Sequence, residues 1–211
     1  MTAPVVVPAS ARALLATHNR GKLEELRRIL AEAVPGFTEE SLVSAGGLEL
    51  PDVVENGVTF AENALLKARA ACAATGLVAI ADDSGLAVDV LGGAPGVFSA
   101  RWSGRHGDDA ANNALLLAQL GDVPDEHRGA EFVCAAVMVT PQGREVVETG
   151  RMRGRLLRGP RGGGGFGYDP LFIPDGEDRT SAELSPAEKD AISHRGRAFR
   201  ALLPALRDAL A

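Results

Sequence analysis

Cysteine is scarce, positive charge is outnumbered, and no apolar run is long. The 211 residues include two cysteines. Cys72 and Cys134 match no metal or redox spacing and lie in apolar surroundings, so they read as reduced core residues. Lys and Arg number 22 against 28 Asp and Glu, a net charge of −6. That balance lacks the basic stripe of a general nucleic-acid binder. It still permits a polyphosphate site built from a few local cations. No apolar stretch is long enough to span a bilayer. The first twelve residues lack the basic and long apolar regions of a signal peptide. Residues 1–11 therefore read as a loose leader on a cytoplasmic protein. No internal repeat is present, and the only low-complexity segment is the four glycines Gly162 to Gly165. What remains is ordinary: 45% hydrophobic and 24% charged residues, enough for a sizeable core in one large or two small domains.

The most informative stretch is Ala79 to Val90. An apolar run from Leu77 to Ala81 meets Asp82 and Asp83, then resumes after Ser84-Gly85. Short apolar runs bounded by turn residues read as buried strands, so the two acids are expected at a strand end, where α/β folds place their ligands. Neighbouring carboxylates repel unless they are exposed or bridged by a cation. Two readings fit: a Mg²⁺ site or general base, or a solvated strand-to-turn junction capped by Ser84.

Upstream, Ala13 to Thr17 reads as a strand running into the polar loop His18-Asn19-Arg20-Gly21-Lys22. A helix follows, with Leu23, Leu26, Ile29 and Leu30 on one face. A helix N-terminus aimed at a loop favours an anion, and Lys22 adds a point charge. The Walker spacing is absent. Phe37 to Val43 reads as a second strand, followed by an acidic loop through Glu49, Asp52 and Glu55. Thr59-Phe60-Ala61-Glu62 opens a helix with a capping box, and Gly76 ends it. Lys67, on that helix, is a solvated lysine unless the helix borders the acidic stretch.

Downstream, Gly92 to Gly104 is a glycine-rich loop carrying Trp102. Asp108 to Leu120 reads as a helix, and Glu131 to Val139 pairs with Arg144 to Leu157 as a hairpin turning at Pro141 to Gly143. Gly162 to Gly167 formally contains GxGxxG, but Tyr168-Asp169-Pro170 follows in place of a helix, so the dinucleotide reading fails. Glycines leading into two aromatics and a carboxylate suit a loop closing over a flat ligand. Ser185-Pro186-Ala187-Glu188 is a helix start. Ser193-His194-Arg195-Gly196 opens a last amphipathic helix, with a bend expected at Pro204.

Six of these stretches, in order, carry a resemblance. They are 17–22, 62–68, 81–86, 92–96, 165–170 and 193–196. With them the chain resembles the inosine/xanthosine triphosphate pyrophosphatases from about Leu14 to Leu203. The resemblance implies one domain over residues 1–211, an α/β fold of two lobes with a long central mixed β-sheet flanked by helices. It also implies a nucleotide site in the cleft between the lobes. It implies Mg²⁺-dependent hydrolysis of ITP, dITP and XTP to the monophosphate and pyrophosphate by a homodimer, with no nucleic acid or membrane partner. Transferred to this chain, Asp83 is the proton acceptor and, with Glu55, a metal ligand. Thr17, Asn19 and Lys22, within the loop that also holds His18, Arg20 and Gly21, hold the triphosphate. Ser84 touches substrate; Phe166, Gly167, Tyr168 and Asp169 wall the base and sugar; Lys189, His194 and Arg195 complete base recognition. His18 departs from the family's glycine, and Phe98 and Trp102 replace tyrosines. Three rivals are weaker, the least favoured being a haloacid-dehalogenase-type phosphomonoesterase, because Asp82-Asp83-Ser84-Gly85 lacks that family's DxDx[TV] spacing. A Maf-type pyrophosphatase is disfavoured by the 166–169 and 193–196 stretches, and a non-catalytic nucleotide-binding module by Asp83, Glu55 and Lys22 together.

Overall fold

The computed structural model describes residues 5–17, 23–24, 26–27, 30–31, 34–48, 50 and 53–211. A six-stranded mixed sheet runs in the order β2-β1-β3-β4-β5-β6. Its strands are β1 (Ala13–Leu15), β2 (Leu42–Ser44), β3 (Val78–Val88), β4 (Gly129–Val139), β5 (Glu145–Leu156) and β6 (Phe172–Pro174). β1 lies parallel to both β2 and β3, with Leu14 opposite Val43 on one side and Ala79 on the other. Parallel strands are covered on both faces and read as unbroken apolar runs. Ala13, Leu14 and Leu15 are accordingly all fully buried. β5 pairs antiparallel with β6 and shows the other pattern. In its second half Arg151, Arg153 and Arg155 are exposed while Met152, Gly154 and Leu156 are buried. That alternation is the period of a strand with one solvated face.

Residues 23–24, 26–27 and 30–31 are helical, and the helices with described bounds are α1 (Phe60–Thr75), α2 (Asp109–Gln119), α3 (Pro186–Ile192) and α4 (His194–Leu210). α1 starts at the expected capping box of Thr59 and Glu62. It ends at Gly76, in the left-handed region at φ 68°, with the Gly76 N–H donating to the Cys72 carbonyl. α3 has the same kind of start, with Ser185 and Glu188 capping each other and proline in the first turn. α4 runs on through Pro204. The proline forfeits one main-chain hydrogen bond, and full burial of Phe199, Leu202 and Leu206 on that helix offsets the loss.

The chain divides into two compact units. One comprises Met1–Asp83, Ala135–Gly150 and Gly196–Ala211; the other comprises Ser84–Cys134 and Arg151–Arg195. In the first, the small face of α1 (Ala64, Ala68, Ala71 and Cys72) packs on Leu14, Ala79, Ala81, Val137 and Val139. The spacing i, i+4, i+7, i+8 is one helix face, and its small residues let the helix sit close to the strands. In the second, Leu86, Val88, Leu116, Leu120, Phe132, Met152, Leu156 and Phe172 form the core. Each fully buried leucine there contributes roughly 1.5–3 kcal/mol. Arg128, only 1% exposed, donates to three main-chain carbonyls, those of Leu120, Leu156 and Leu157. Burial pulls its guanidinium below its usual range. Among the described residues no helix is long and apolar enough to cross a membrane.

Two expectations need correction. Asp82 and Asp83 do not end a strand: β3 continues through them to Val88. Successive strand residues point to opposite faces, so the adjacent carboxylates need not share one space. The second strand is shorter than 37–43, because Glu39–Ser41 forms a 3₁₀ turn tied by Thr38 and Ser41 before β2 begins. The hairpin stands as expected, closed by Thr140 and Arg144 around Pro141 to Gly143.

Candidate active site

The first unit holds an acidic set. The loop before α1 brings Glu55 close to the helix, and α1 presents Asn63 and Lys67, four residues apart and so on one face. Lys67 Nζ lies 3.5 Å from Glu55 Oε1 and 3.7 Å from Asp83 Oδ1. Asn63 Nδ2 donates to Asp83 Oδ2 at 3.2 Å, while its Oδ1 accepts from the Gly57 N–H at 2.8 Å. Only glycine fits at position 57, since a Cβ there would lie 2.7 Å from Asn63 Oδ1. Asp83 is mostly buried, and burial is the main reason its carboxyl is held above the ordinary carboxylate range. Lys67 and Asn63 pull it down; Glu55 and Asp82 push it up. Asp82 is itself 2% exposed.

Glu55 and Asp83, converging on the Lys67 ammonium, carry hard oxygens of the kind that suit Mg²⁺. That ion is commonly held by one or two carboxylates plus waters and substrate phosphates. Among the described residues no three His, Cys, Asp or Glu side chains are grouped to hold a metal ion. The set therefore fits a partly hydrated ion shared with substrate, and does not fit an all-protein cage. Thr17 lies just beyond β1 in the same unit. Since Leu15 pairs with Ile80, the chain leaving β1 starts alongside Ala81 and Asp82. His18, Asn19, Arg20, Gly21 and Lys22, expected from sequence to bind the triphosphate, lie outside the described residues.

The second unit holds an aromatic and cationic set. Phe166 is 56% exposed, with Lys189 Nζ 5.0 Å and Arg195 Cζ 6.0 Å from its ring centroid. Lys189 also pairs with Asp169, which is buried, and the same Asp169 oxygen accepts the Phe166 N–H at 2.9 Å. Arg195 Nη2 donates to Ser84 Oγ at 3.1 Å. The result is an open aromatic face bordered by two cations, suited to a planar, electron-rich ring.

Tyr168 and His194 are placed differently. Tyr168 is 4% exposed, and its hydroxyl donates to the Ser99 carbonyl at 2.9 Å. Burial raises its phenol far above the usual range. Its hydroxyl is engaged in the core, so it supports the loop from behind. His194 stacks on Phe132 with centroids 5.0 Å apart, as part of that core. Asn63 was missed from sequence. Its signal is that asparagine is a poor helix former in an otherwise alanine-rich helix. Lys67, left undecided, is resolved by its two carboxylate neighbours.

The first unit thus gathers carboxylates on an ammonium and the second carries a cation-flanked aromatic loop, on the mixed sheet and flanking helices of an α/β protein. The chain belongs to the Ham1 family, whose model matches residues 13–205. It is 61% identical over 199 residues, 94% of this chain and 98% of the relative, to a Streptomyces avermitilis protein named dITP/XTP pyrophosphatase. A Mycobacterium tuberculosis protein of the same name is 63% identical over 195 residues, covering 92% and 94%. Among solved structures, a dITP/XTP pyrophosphatase from Mycobacterium abscessus superposes with a TM-score of 0.76 at 58% identity, covering 92% of this chain and 99% of that one. A HAM1 protein from Coxiella burnetii superposes at 0.85 with 39% identity, covering 94% and 99%.

Proposed function

We propose that this protein hydrolyses non-standard purine nucleoside triphosphates (ITP, dITP and XTP) to the monophosphate and pyrophosphate. It would act on the cytoplasmic nucleotide pool, as a homodimer. The observation that carries the reading is the Glu55–Lys67–Asp83 arrangement. It pairs a proton acceptor with a cation site, and relatives sharing about three residues in five bear that activity in their names.

The chemistry follows from the side chains. Water attacks a phosphorus of the anhydride, one P–O bond forms as another breaks, and the water proton goes to Asp83. A positioned carboxylate can take that proton as the new bond forms. Asn63, donating to Asp83 Oδ2, fixes which oxygen faces the reaction. Mg²⁺, held by Glu55 and Asp83, would supply neutralisation of the phosphate oxygens as charge builds there. Thr17, Asn19 and Lys22 would bind the triphosphate. Phe166 would stack on the base, while Lys189, Arg195 and loop 166–169 supply donors to its oxo groups. A donor suited to a 6-oxo group is left unmet by a 6-amino group, which costs roughly 1–3 kcal/mol per buried group.

The test is pyrophosphate release from ITP, XTP, ATP, GTP and dTTP, each with and without Mg²⁺. Fast Mg²⁺-dependent release from ITP and XTP is expected. Release mainly from dTTP, or orthophosphate as product, would overturn the reading.

A further inference from the structure

The acidic set and the cation-flanked ring leave one helix unaccounted for. α2 reaches the base-facing loop without contributing a residue to it. Its N-terminus is capped by Asp108, which accepts the Ala111 N–H at 3.1 Å, so the next residue, Asp109, is free to act elsewhere. Asp109 Oδ2 accepts the N–H of Gly167 at 2.7 Å. One turn on, Asn113 Nδ2 donates to the carbonyl of the same glycine at 2.9 Å. Both main-chain polar groups of Gly167, 58 and 54 residues away, are thus held by one i, i+4 pair on one helix face. Gly167 sits at φ 60°, a conformation side-chain-bearing residues disfavour.

Asn113 carries a second mark. Its Oδ1 is buried and makes no hydrogen bond. A buried unsatisfied amide oxygen is costly. The one bond that explains the residue is the one to Gly167. α2 is itself well anchored: Asn112 bonds Ser103 and Ala100, Gln119 accepts from Trp102, and Arg128 ties Leu120 at its far end.

We infer that Asp109 and Asn113 are positioning residues that hold the Phe166–Gly167 peptide in its base-stacking conformation before substrate arrives. Four consecutive main-chain groups around the ring are then fixed: the Phe166 N–H and C=O by Asp169, and the Gly167 N–H and C=O by α2. An exposed ring on a fixed backbone has only its own torsions left to order on binding. This rests on the purine pyrophosphatase reading and adds the device that preorganises its base site.

The test is steady-state kinetics on ITP with hydrogen–deuterium exchange of the free protein. Asp109→Ala and Asn113→Ala are each expected to raise KM about tenfold, the cost of ordering about one residue's backbone on binding. kcat should stay within about twofold, because neither residue touches the acidic set. Exchange in segment 165–169 should rise in both variants. Asp109→Asn keeps an acceptor and should restore most of the wild-type KM. Unchanged KM and unchanged exchange in the alanine variants would overturn the inference, as would an equal loss in Asp109→Asn. A wild-type protein that releases no pyrophosphate from ITP would instead sink the functional reading, a separate result visible before any variant is made.

Discussion

Replacing Asp83 by asparagine should make the protein more stable while stopping its chemistry. The sign comes from burial. The folded state holds the Asp83 carboxyl above its unfolded value, so it binds that proton more tightly than the unfolded chain. Stability from this group is present at low pH and falls as pH rises from the unfolded pKa through the raised folded one. At neutral pH the ionised group is a net cost, although Lys67 at 3.7 Å and the Asn63 amide offset part of it. Asparagine removes the charge and can still accept from Asn63. Lys67 keeps Glu55 at 3.5 Å, so no buried cation is left alone. The expected gain is a higher unfolding midpoint for the variant at pH 7.5. It should shrink toward zero near pH 4. Mg²⁺ should reverse the order: at about a hundred times its Kd it stabilises wild type by about 2.7 kcal/mol, and the variant much less. Denaturant unfolding at pH 4 and 7.5, with and without Mg²⁺, reads all of this alongside ITP turnover. A variant less stable than wild type at pH 7.5, or one that retains turnover, would refute the reasoning.

Three further outcomes follow from single contacts. Phe166→Ala removes an exposed ring, so the unfolding midpoint should hardly move while KM for ITP rises about tenfold or more, the stacking worth of one base; an unchanged KM would take Phe166 out of the site. Arg128→Leu strands the carbonyls of Leu120, Leu156 and Leu157 and should cost about 3 kcal/mol or more, read as a midpoint lowered by roughly 10 °C; a loss under about 1 kcal/mol would show those carbonyls find other donors. Gly85→Ala would put a Cβ 2.3 Å from Ser99 Oγ, the hydroxyl that receives the Leu86 N–H, so we expect about 1–3 kcal/mol of destabilisation in urea titration and reject the close approach if none is seen.

The elements best read from sequence were those fixed by local chemistry. The boxes at Thr59 and Ser185, the stop at Gly76 and the turn after Thr140 depend on residues within four positions of each other. Each formed where expected. Asp82 and Asp83 were misplaced for the opposite reason. Two acids normally end a buried strand because nothing within the strand can satisfy them. Here the satisfaction comes from α1, twenty residues earlier, where Asn63 reaches Asp83. Tyr168 likewise has a partner far off in sequence: its hydroxyl donates to the Ser99 carbonyl, 69 residues away.

The two units solve one problem twice. In the first, α1 sets Asn63 and Lys67 a turn apart. Asn63 grips a loop glycine, Gly57, and the pair together hold the Asp83 carboxylate. In the second, α2 sets Asp109 and Asn113 a turn apart, and they grip the loop glycine beside Phe166. In both, the helix's apolar face packs on its core while the i, i+4 polar pair on another face does the positioning. Periodicity analysis reads the apolar face, because hydrophobicity is what repeats. The polar pair interrupts no pattern and so leaves no trace except a residue poorly suited to a helix interior. Asn63 and Asn113 are both of that kind. Where an otherwise good helix spends an asparagine, the place to look is the glycine it holds.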